Sequence, residues 1–414
     1  MDKEYILVHH NEDEARAKEA MTVKSAGQES SAAMTEDSTL TSSVTIRSSK
    51  PGIPLEMEPV RKSMMELVEE CDNFPYKDGN ESYYSKITSS FYGFGIEGSD
   101  LHGRGYAQPV YGFVPFWVAE KMDFFTINKS YMKIYPDFYK YNEYMLKHAK
   151  ASRGESEEEP GKGLEEKPMK KDKTVIIPYE NEIINAQLVR LRNAKAFKVL
   201  EGWRNELYPV LGSKKDIRIE RAGAALFGIV THGVHMTAYT KTKEGMKIWV
   251  PRRAASKQTY GGMLDNSVAG GITAGESAFE SLVREAAEEA SLPEDLVRRD
   301  AIACGSVSYF HIRDGRAGGE TGLMQPEIQY VYEMELAADV IPKPGDNEVE
   351  AFYLLTVEEV RKALSEGQFK PNCALVMIDF FVRHGFINFE NEKNLNELVT
   401  RMHRKLPFPT SSFN

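Results

Sequence analysis

Three cysteines in 414 residues, none in a C-x-x-C spacing, leave no disulfide framework to build on. Cys71, Cys304 and Cys373 are far apart in the chain, which suits a reducing compartment. An excess of basic residues is also missing. The net charge is -10, which argues against nonspecific binding to nucleic acid or to an anionic membrane. It does not argue against a phosphorylated substrate, because a metal can supply local positive charge. Long apolar runs are lacking too: the longest near the C-terminus, residues 374–382, is short and contains Asp379, so no membrane-spanning helix is expected. The opening MDKEYILVHHNEDEARAKEA mixes both charges and resembles neither a signal peptide nor an Arg-rich transit peptide. A cytoplasmic protein is expected, with the nucleus not excluded. No P-loop is present: residues 103–112 are glycine-rich without a G-K-[ST], and Gly212-Ser213-Lys214 lacks the earlier glycine.

What is there is enough for a large core, with 41% hydrophobic residues in a length that suggests two or three domains. Residues 1–59 are polar and rich in Ser and Thr and read as a disordered segment, with a short helical pattern around 11–21. Residues 60–215 read as a smaller α+β domain. Its aromatic stretch 91–117 suggests strands and tight turns, its residues 151–173 a charged surface insertion, and its residues 182–200 a helix. Residues 216–390 form the next expected domain, and 391–414 a C-terminal helix or tail. In the 216–390 domain, residues 224–239 read as two strands broken at Gly233, and 247–252, 304–310, 328–334 and 352–355 as further strands. Residues 357–364 and 374–384 read as helices. Strands interleaved with helices suit an α/β/α sandwich with a mixed sheet.

One stretch carries chemistry. Residues 270–292 read GGITAGESAFESLVREAAEEASL, a glycine turn leading into a helix with Arg284, Glu285, Glu288 and Glu289. The three glutamates span an arc of about 100° on one helical face. Like charges so close repel, and a divalent cation relieves the repulsion; Mg2+ and Mn2+ take oxygen ligands. Ala278, Leu282, Ala286 and Ala290 make the opposite face apolar. The alternative is a solvated acidic face with a Glu280–Arg284 pair.

The spacing resembles the Nudix box, G-x5-E-x7-R-E-U-x-E-E-x-G-U, where U is a bulky aliphatic residue. Gly270, Glu276, Arg284-Glu285, Glu288-Glu289 and Leu292 fill its positions. Ala286 replaces a larger aliphatic residue and Ser291 the closing glycine, which touches packing and the helix end rather than the charged positions. The resemblance implies the Nudix α/β/α sandwich and a hydrolase acting on a small-molecule diphosphate with Mg2+ or Mn2+. Glu285, Glu288 and Glu289 would hold the metal with a backbone carbonyl at Gly270. Glu276 and Arg284 would pair to fix the loop against the helix, and Glu289 or Glu285 would serve as base. Glu348 and Glu350 are further candidates for that base.

The blocks WRNELY at 203–208, HGVHMTAY at 232–239, residues 251–271 and FKPNCALVMIDFFVRHG at 369–385 are similar to a narrower branch, the Nudix proteins related to the C-terminal part of fungal thiamine pyrophosphokinase. That resemblance implies hydrolysis of thiamine-type diphosphates, including damaged analogues, to the monophosphate. Arg252 or Arg253 would meet phosphate oxygens; being adjacent on a strand, they point to opposite faces, so only one is expected to. Gln258 and Tyr260, just before the box, are the better-placed substrate contacts. Trp203, Tyr208 and Tyr309 are further aromatic faces for a cationic ring. His232 and His235, three apart on a strand, are not expected to share a metal. The loop 314–322 reads as a mobile cover or a surface excursion. An isomerase of the isopentenyl diphosphate type needs a cysteine ahead of the box, and none lies between 72 and 303. A non-catalytic binding module, or a hydrolase of nucleoside-diphosphate-linked compounds, are the other readings. The oligomeric state is not readable.

Overall fold

The computed structural model describes residues 8–9, 61–96, 109–153 and 178–411. The helical pattern at 11–21, the rest of residues 1–59 apart from 8–9, and the insertion beyond residue 153 lie outside these residues. In chain order the elements are β1 Val8–His9, α1 Met64–Cys71, α2 Glu81–Thr88, β2 Phe91–Phe94, β3 Gly112–Pro115, α3 Phe116–Ala119, β4 Phe125–Asn128, β5 Lys133–Pro136, α4 Phe138–Arg153 and α5 Tyr179–Asn193. They continue with β6 Leu207–Pro209, β7 Arg218–Glu220, α6 Ala224–Phe227, β8 Thr231–Thr242, β9 Gly245–Arg253, β10 Val268–Gly271, α7 Ala278–Ala290 and α8 Glu294–Asp300. The last are β11 Ile302–Ile312, β12 Met324–Glu335, β13 Val349–Thr356, α9 Val357–Ser365, α10 Pro371–Arg383 and α11 Leu395–Met402.

The main sheet runs β1-β13-β9-β8-β12-β11, with β10 paired to β8 beside the box helix. It is mixed: β8 and β12 are parallel, and the other pairs are antiparallel. Strand alternation sorts its residues onto two covered faces. Val234, Met236, Ala238 and Trp249 pack with Leu282, Val283, Ala286 and Ala290 of α7. Tyr239, Ile248 and Val250 pack with Leu375, Ile378 and Phe380 of α10, together with Leu67 and Val68 of α1. The expected α/β/α sandwich is therefore present, with a smaller α+β part ahead of it: the four-stranded sheet β3-β2-β5-β4 and α5.

Packing runs across residue 215. Ala224, Leu226, Phe227 and Ile229 share a core with Phe94, Ile134, Ile184 and Leu188. The two backbones meet so closely that a Cβ at Gly112 would overlap the Phe227 carbonyl, and one at Gly228 (φ +58°) the Phe113 carbonyl. The division at 215/216 is accordingly kept as a proposal about topology, with a continuous core across it.

Two expectations need correction. Residues 224–239 are not two strands broken at Gly233. Residues 224–227 form a helical turn that ends at left-handed Gly228, and β8 then runs unbroken through Gly233. Gly233 is there for space: a Cβ would overlap the Gln329 side chain and crowd the Gly270 carbonyl. The helix expected over 182–200 begins earlier and stops at Asn193; Lys195 turns into the left-handed region (φ +50°) and a 3-10 turn follows at Lys198–Gly202.

Candidate active site

The box helix α7 starts where Ser277 accepts a hydrogen bond from the Glu280 backbone, an N-cap that fixes its first turn. It ends at Ser291, which adopts the left-handed conformation (φ 51°) usually left to glycine. The helix buries its alanine and leucine face and turns Glu285 and Glu289 toward β10.

Arg284 and Glu276 pair through two hydrogen bonds, Nε to Oε1 at 3.0 Å and Nη2 to Oε2 at 3.1 Å. Ser281 and Thr273 also donate to Glu276, at 2.6 and 3.2 Å. These donors, the Arg284 bond foremost, hold the Glu276 carboxyl below its ordinary range. The loop is thus fastened to the helix. Arg284 Nη1 continues to Glu285 (2.8 Å) and Glu288 (3.2 Å).

Glu285 lies against Gly270, where any Cβ would overlap its carboxylate. Glu289 is 9% exposed and accepts a hydrogen bond from the Ala269 backbone at 2.9 Å. Burial pushes the Glu289 carboxyl well above its usual range, and the neighbouring Glu285 and Asp265 charges add to this. Burial also raises Glu285, against the pull of Arg284. Two mutually repelling buried carboxylates beside a wall cleared of side chains form an oxygen donor set that suits a hard divalent cation. Among the described residues no three His, Cys, Asp or Glu side chains converge on one point. Glu288 is turned outward to Arg284, so a cation here would complete its shell with water or substrate oxygens, as Mg2+ commonly does.

A cavity of about 450 Å3 opens at Ala269, Gly270 and Gly271. Its walls come from three stretches. Residues 198–221 supply Lys198, Arg204, Tyr208 and Arg221; residues 257–260 supply Lys257, Gln258 and Tyr260; and the sheet supplies Tyr309, Arg313, Glu327 and Gln329. Lys370 and Asn372 close it at the start of α10. Tyr208 rests on Gly271, which has no Cβ to obstruct it. Burial pushes the Tyr208 phenol up to about 12, and both Tyr208 and Arg221 lie within the field of Glu285. The sequence blocks containing Arg204 and Lys370 were recognisable, but nothing in the chain order said that those side chains face the box. Arg221 carried no signal.

The expected contacts divide. Gln258 and Tyr260 border the cavity, as do Tyr208 and Tyr309, while Trp203 does not. Arg252 and Arg253 are absent from its walls. Arg253 is buried against Asp265 (2.5 Å) and the Thr259 carbonyl, and Arg252 bonds the Gly262 carbonyl (2.9 Å). A buried guanidinium needs a counter-ion, and Asp265 supplies it; the Arg253 Nε left without a partner is buried and lies outside the cavity walls. Glu348 pairs with Lys257 and Arg204, which hold its carboxyl low against the effect of burial, and Glu350 is exposed. His235 bonds Asn266 (2.7 Å), whereas His232 lies edge-on to Tyr330. Burial pushes each imidazole down to about 4. The loop 314–322 is tethered rather than loose: Glu320 accepts from the backbones of Lys198 (2.5 Å) and Val199 (3.0 Å), and Ala317 to Gly319 roof the cavity.

The family model described as the NUDIX domain matches residues 231–374. Nudix hydrolase 24, chloroplastic, of Arabidopsis thaliana is 31% identical over 77% of this chain and 80% of its own length. The chain belongs to the Nudix hydrolase family. An uncharacterised protein of Saccharomyces cerevisiae, YJR142W, is 43% identical over 56% of this chain and 70% of that protein. Nudix hydrolase 20, chloroplastic, of Arabidopsis thaliana is 41% identical over 48% of this chain and about half (52%) of its own length. Among solved structures, DR0079 of Deinococcus radiodurans is similar at 22% identity and a TM-score of 0.30, covering 48% of this chain and all (100%) of that one. Nudix hydrolases act on pyrophosphate-containing compounds and generally use divalent metal ions. Among the described residues no helix is long and apolar enough to cross a membrane.

Proposed function

We propose that this Nudix hydrolase is an Mg2+- or Mn2+-dependent diphosphatase that cleaves thiamine-type diphosphates, damaged analogues included, to the monophosphate and phosphate. The observation that supports this reading is the cavity meeting the box at Gly270 and Gly271, with both cationic and aromatic side chains among its walls. Glu285 and Glu289 would hold the metal, with the Gly270 carbonyl as a further expected donor; Glu288, paired with Arg284, would join them only by leaving that contact. When bound, the cation would neutralise phosphate oxygens and lower the pKa of water. Arg221, Arg204, Lys257 and Lys370 line the cavity and receive the phosphate oxygens, Arg221 giving up its pairing with Glu206 and Arg204 and Lys257 theirs with Glu348. They take the role expected of Arg252 and Arg253, which lie outside the cavity walls. Arg284, fixed by Glu276, orients Glu285. The water oxygen attacks phosphorus as the bridging P–O bond breaks, and Glu289 accepts the water proton at its carboxylate. Glu348, enclosed by Lys257 and Arg204, is set aside as base. The tyrosines at 208, 260 and 309 face the organic group. We place the reaction in the cytoplasm, in keeping with three free cysteines.

The test is product analysis with Mg2+ across thiamine diphosphate, its oxy and oxo analogues, ADP-ribose, NADH and a nucleoside triphosphate. Monophosphate from the thiamine-type compounds, lost on the order of 10²–10⁴-fold in Glu289→Gln, is the expected result. Cleavage of nucleotide compounds alone would remove the thiamine reading and keep the diphosphatase. No turnover of any compound by folded protein would favour a binding module.

A further inference from the structure

The far wall of the cavity carries a carboxylate with no cation of its own. Glu327 on β12 sits opposite Tyr309 on β11. Tyr309 donates to its Oε2 at 2.5 Å, and Gln329 Nε2 donates to the same oxygen at 2.7 Å. Gln329 also donates to the Tyr309 hydroxyl at 3.0 Å, closing a three-membered clamp, and Gln325 Nε2 donates to the other oxygen of Glu327 at 3.4 Å. Among the described residues, Glu327 joins no ion pair. Arg313 is near enough to feel its charge, but gives Nη2 to the Ala317 and Gly318 carbonyls at 2.7 and 2.6 Å. The clamp is buried at Gln329 (4% exposed), whose Oε1 has no hydrogen-bond partner. A buried, unpartnered carbonyl oxygen beside a carboxylate that no ion pair balances is costly unless a donor meets it.

Register fixes where this wall lies. Gly271 pairs with Gly233, and Gly233 with Gln329, so the Gln329 backbone is two strand spacings, about 10 Å, from the box end of the cavity, while its side chain reaches back over Gly233. Tyr208, whose hydroxyl lies over Gly271, is within the fields of both Glu285 and Glu327. A ligand with its diphosphate at Gly270 and Gly271 would extend its organic group along Tyr208 toward Glu327.

We propose that Glu327 is a specificity-determining residue that receives a cationic or N–H-donating nitrogen heterocycle, with Tyr309 and Gln329 holding its carboxylate in place. This rests on the reading that a diphosphate is cleaved at the box. It does not depend on the heterocycle being thiamine.

The experiment compares wild type, Glu327→Gln and Tyr309→Phe by steady-state kinetics with Mg2+. The substrates are thiamine diphosphate, its oxy analogue, ADP-ribose and the plain alkyl isopentenyl diphosphate. Losing a charge-assisted hydrogen bond should lower kcat/KM for the best heterocyclic substrate of the wild type on the order of 10- to 100-fold in Glu327→Gln, mainly through KM. The alkyl diphosphate should change less than about 3-fold, since it offers Glu327 no partner. Tyr309→Phe keeps the charge and should show the same selective loss in smaller measure, which covers a failure of Glu327→Gln to fold. Equal losses on both substrate types, or none, would overturn the proposal, as would a wild type that cleaves only substrates without a cation or N–H donor. If ADP-ribose is cleaved and the thiamine compounds are not, the thiamine reading falls and Glu327 is judged on ADP-ribose. If nothing is turned over, fluorescence titration with thiamine diphosphate decides: weaker binding by Glu327→Gln supports the proposal, and equal or absent binding overturns it.

Discussion

At the scale of single residues, the site is a balance between one guanidinium and four carboxylates. Arg284 touches Glu276, Glu285 and Glu288 at once, while Glu289 has only a backbone donor. The consequence is a pH-dependent stability. The folded carboxyl of Glu289 is raised, so above its ordinary value near 4.5 the folded chain retains a proton that the unfolded chain has released. Stability therefore falls as pH climbs through that window, and stays reduced above the folded value. A divalent cation removes the need for the proton. Thermal melts in EDTA should show a steeper loss of Tm from pH 5 to 8 in wild type than in Glu289→Gln, and Mg2+ should raise the wild-type Tm most at the upper end. Parallel curves for the two proteins would contradict this.

At the scale of elements, β10 and α7 work as one device. Gly270 is open so that Glu285 can lie flat on the strand. Gly270→Ala places a methyl into the end of a flexible side chain, so the fold should survive with a small change in Tm. The carboxylate must move, however, and kcat should fall on the order of 100-fold, since such a displacement is felt strongly in positioned chemistry. An unchanged kcat would show that Glu285 does not need its place. This device was legible in the sequence because every part of it lies within 23 consecutive residues at helical and turn spacing. The strand after Gly228 was not. Glycine at 233 looks like a break in isolation, and only the neighbouring Gln329 and Gly270, supplied by other strands, show that it serves close approach. Arg253 was misread for the same reason: its counter-ion Asp265 is twelve residues further on and inward.

At the scale of the whole molecule, the ends of the described chain are tied together. Arg404, beyond α11, reaches Asp72 at 2.9 Å, and the pair is shielded, at 5% and 0% side-chain exposure. It also donates to the Phe74 and Pro75 carbonyls. Arg404→Ala leaves Asp72 buried without its cation and should cost about 3–5 kcal/mol, read as a lowered midpoint in urea unfolding. A change under about 1 kcal/mol would mean that the pair is solvated in solution. Such long-range ties are invisible to local spacing, which is why the cavity walls could not be read from the sequence although the box could.

The cavity draws its walls from stretches far apart in the chain, and none of the walls from the box helix α7. On the proposed reading, a lineage could change the organic group it accepts by altering wall residues outside the cation set, such as Tyr260, Tyr309 and Glu327, while the box stays as it is. Relatives compared at those wall positions should group by substrate, whereas the same relatives compared along the box helix should not.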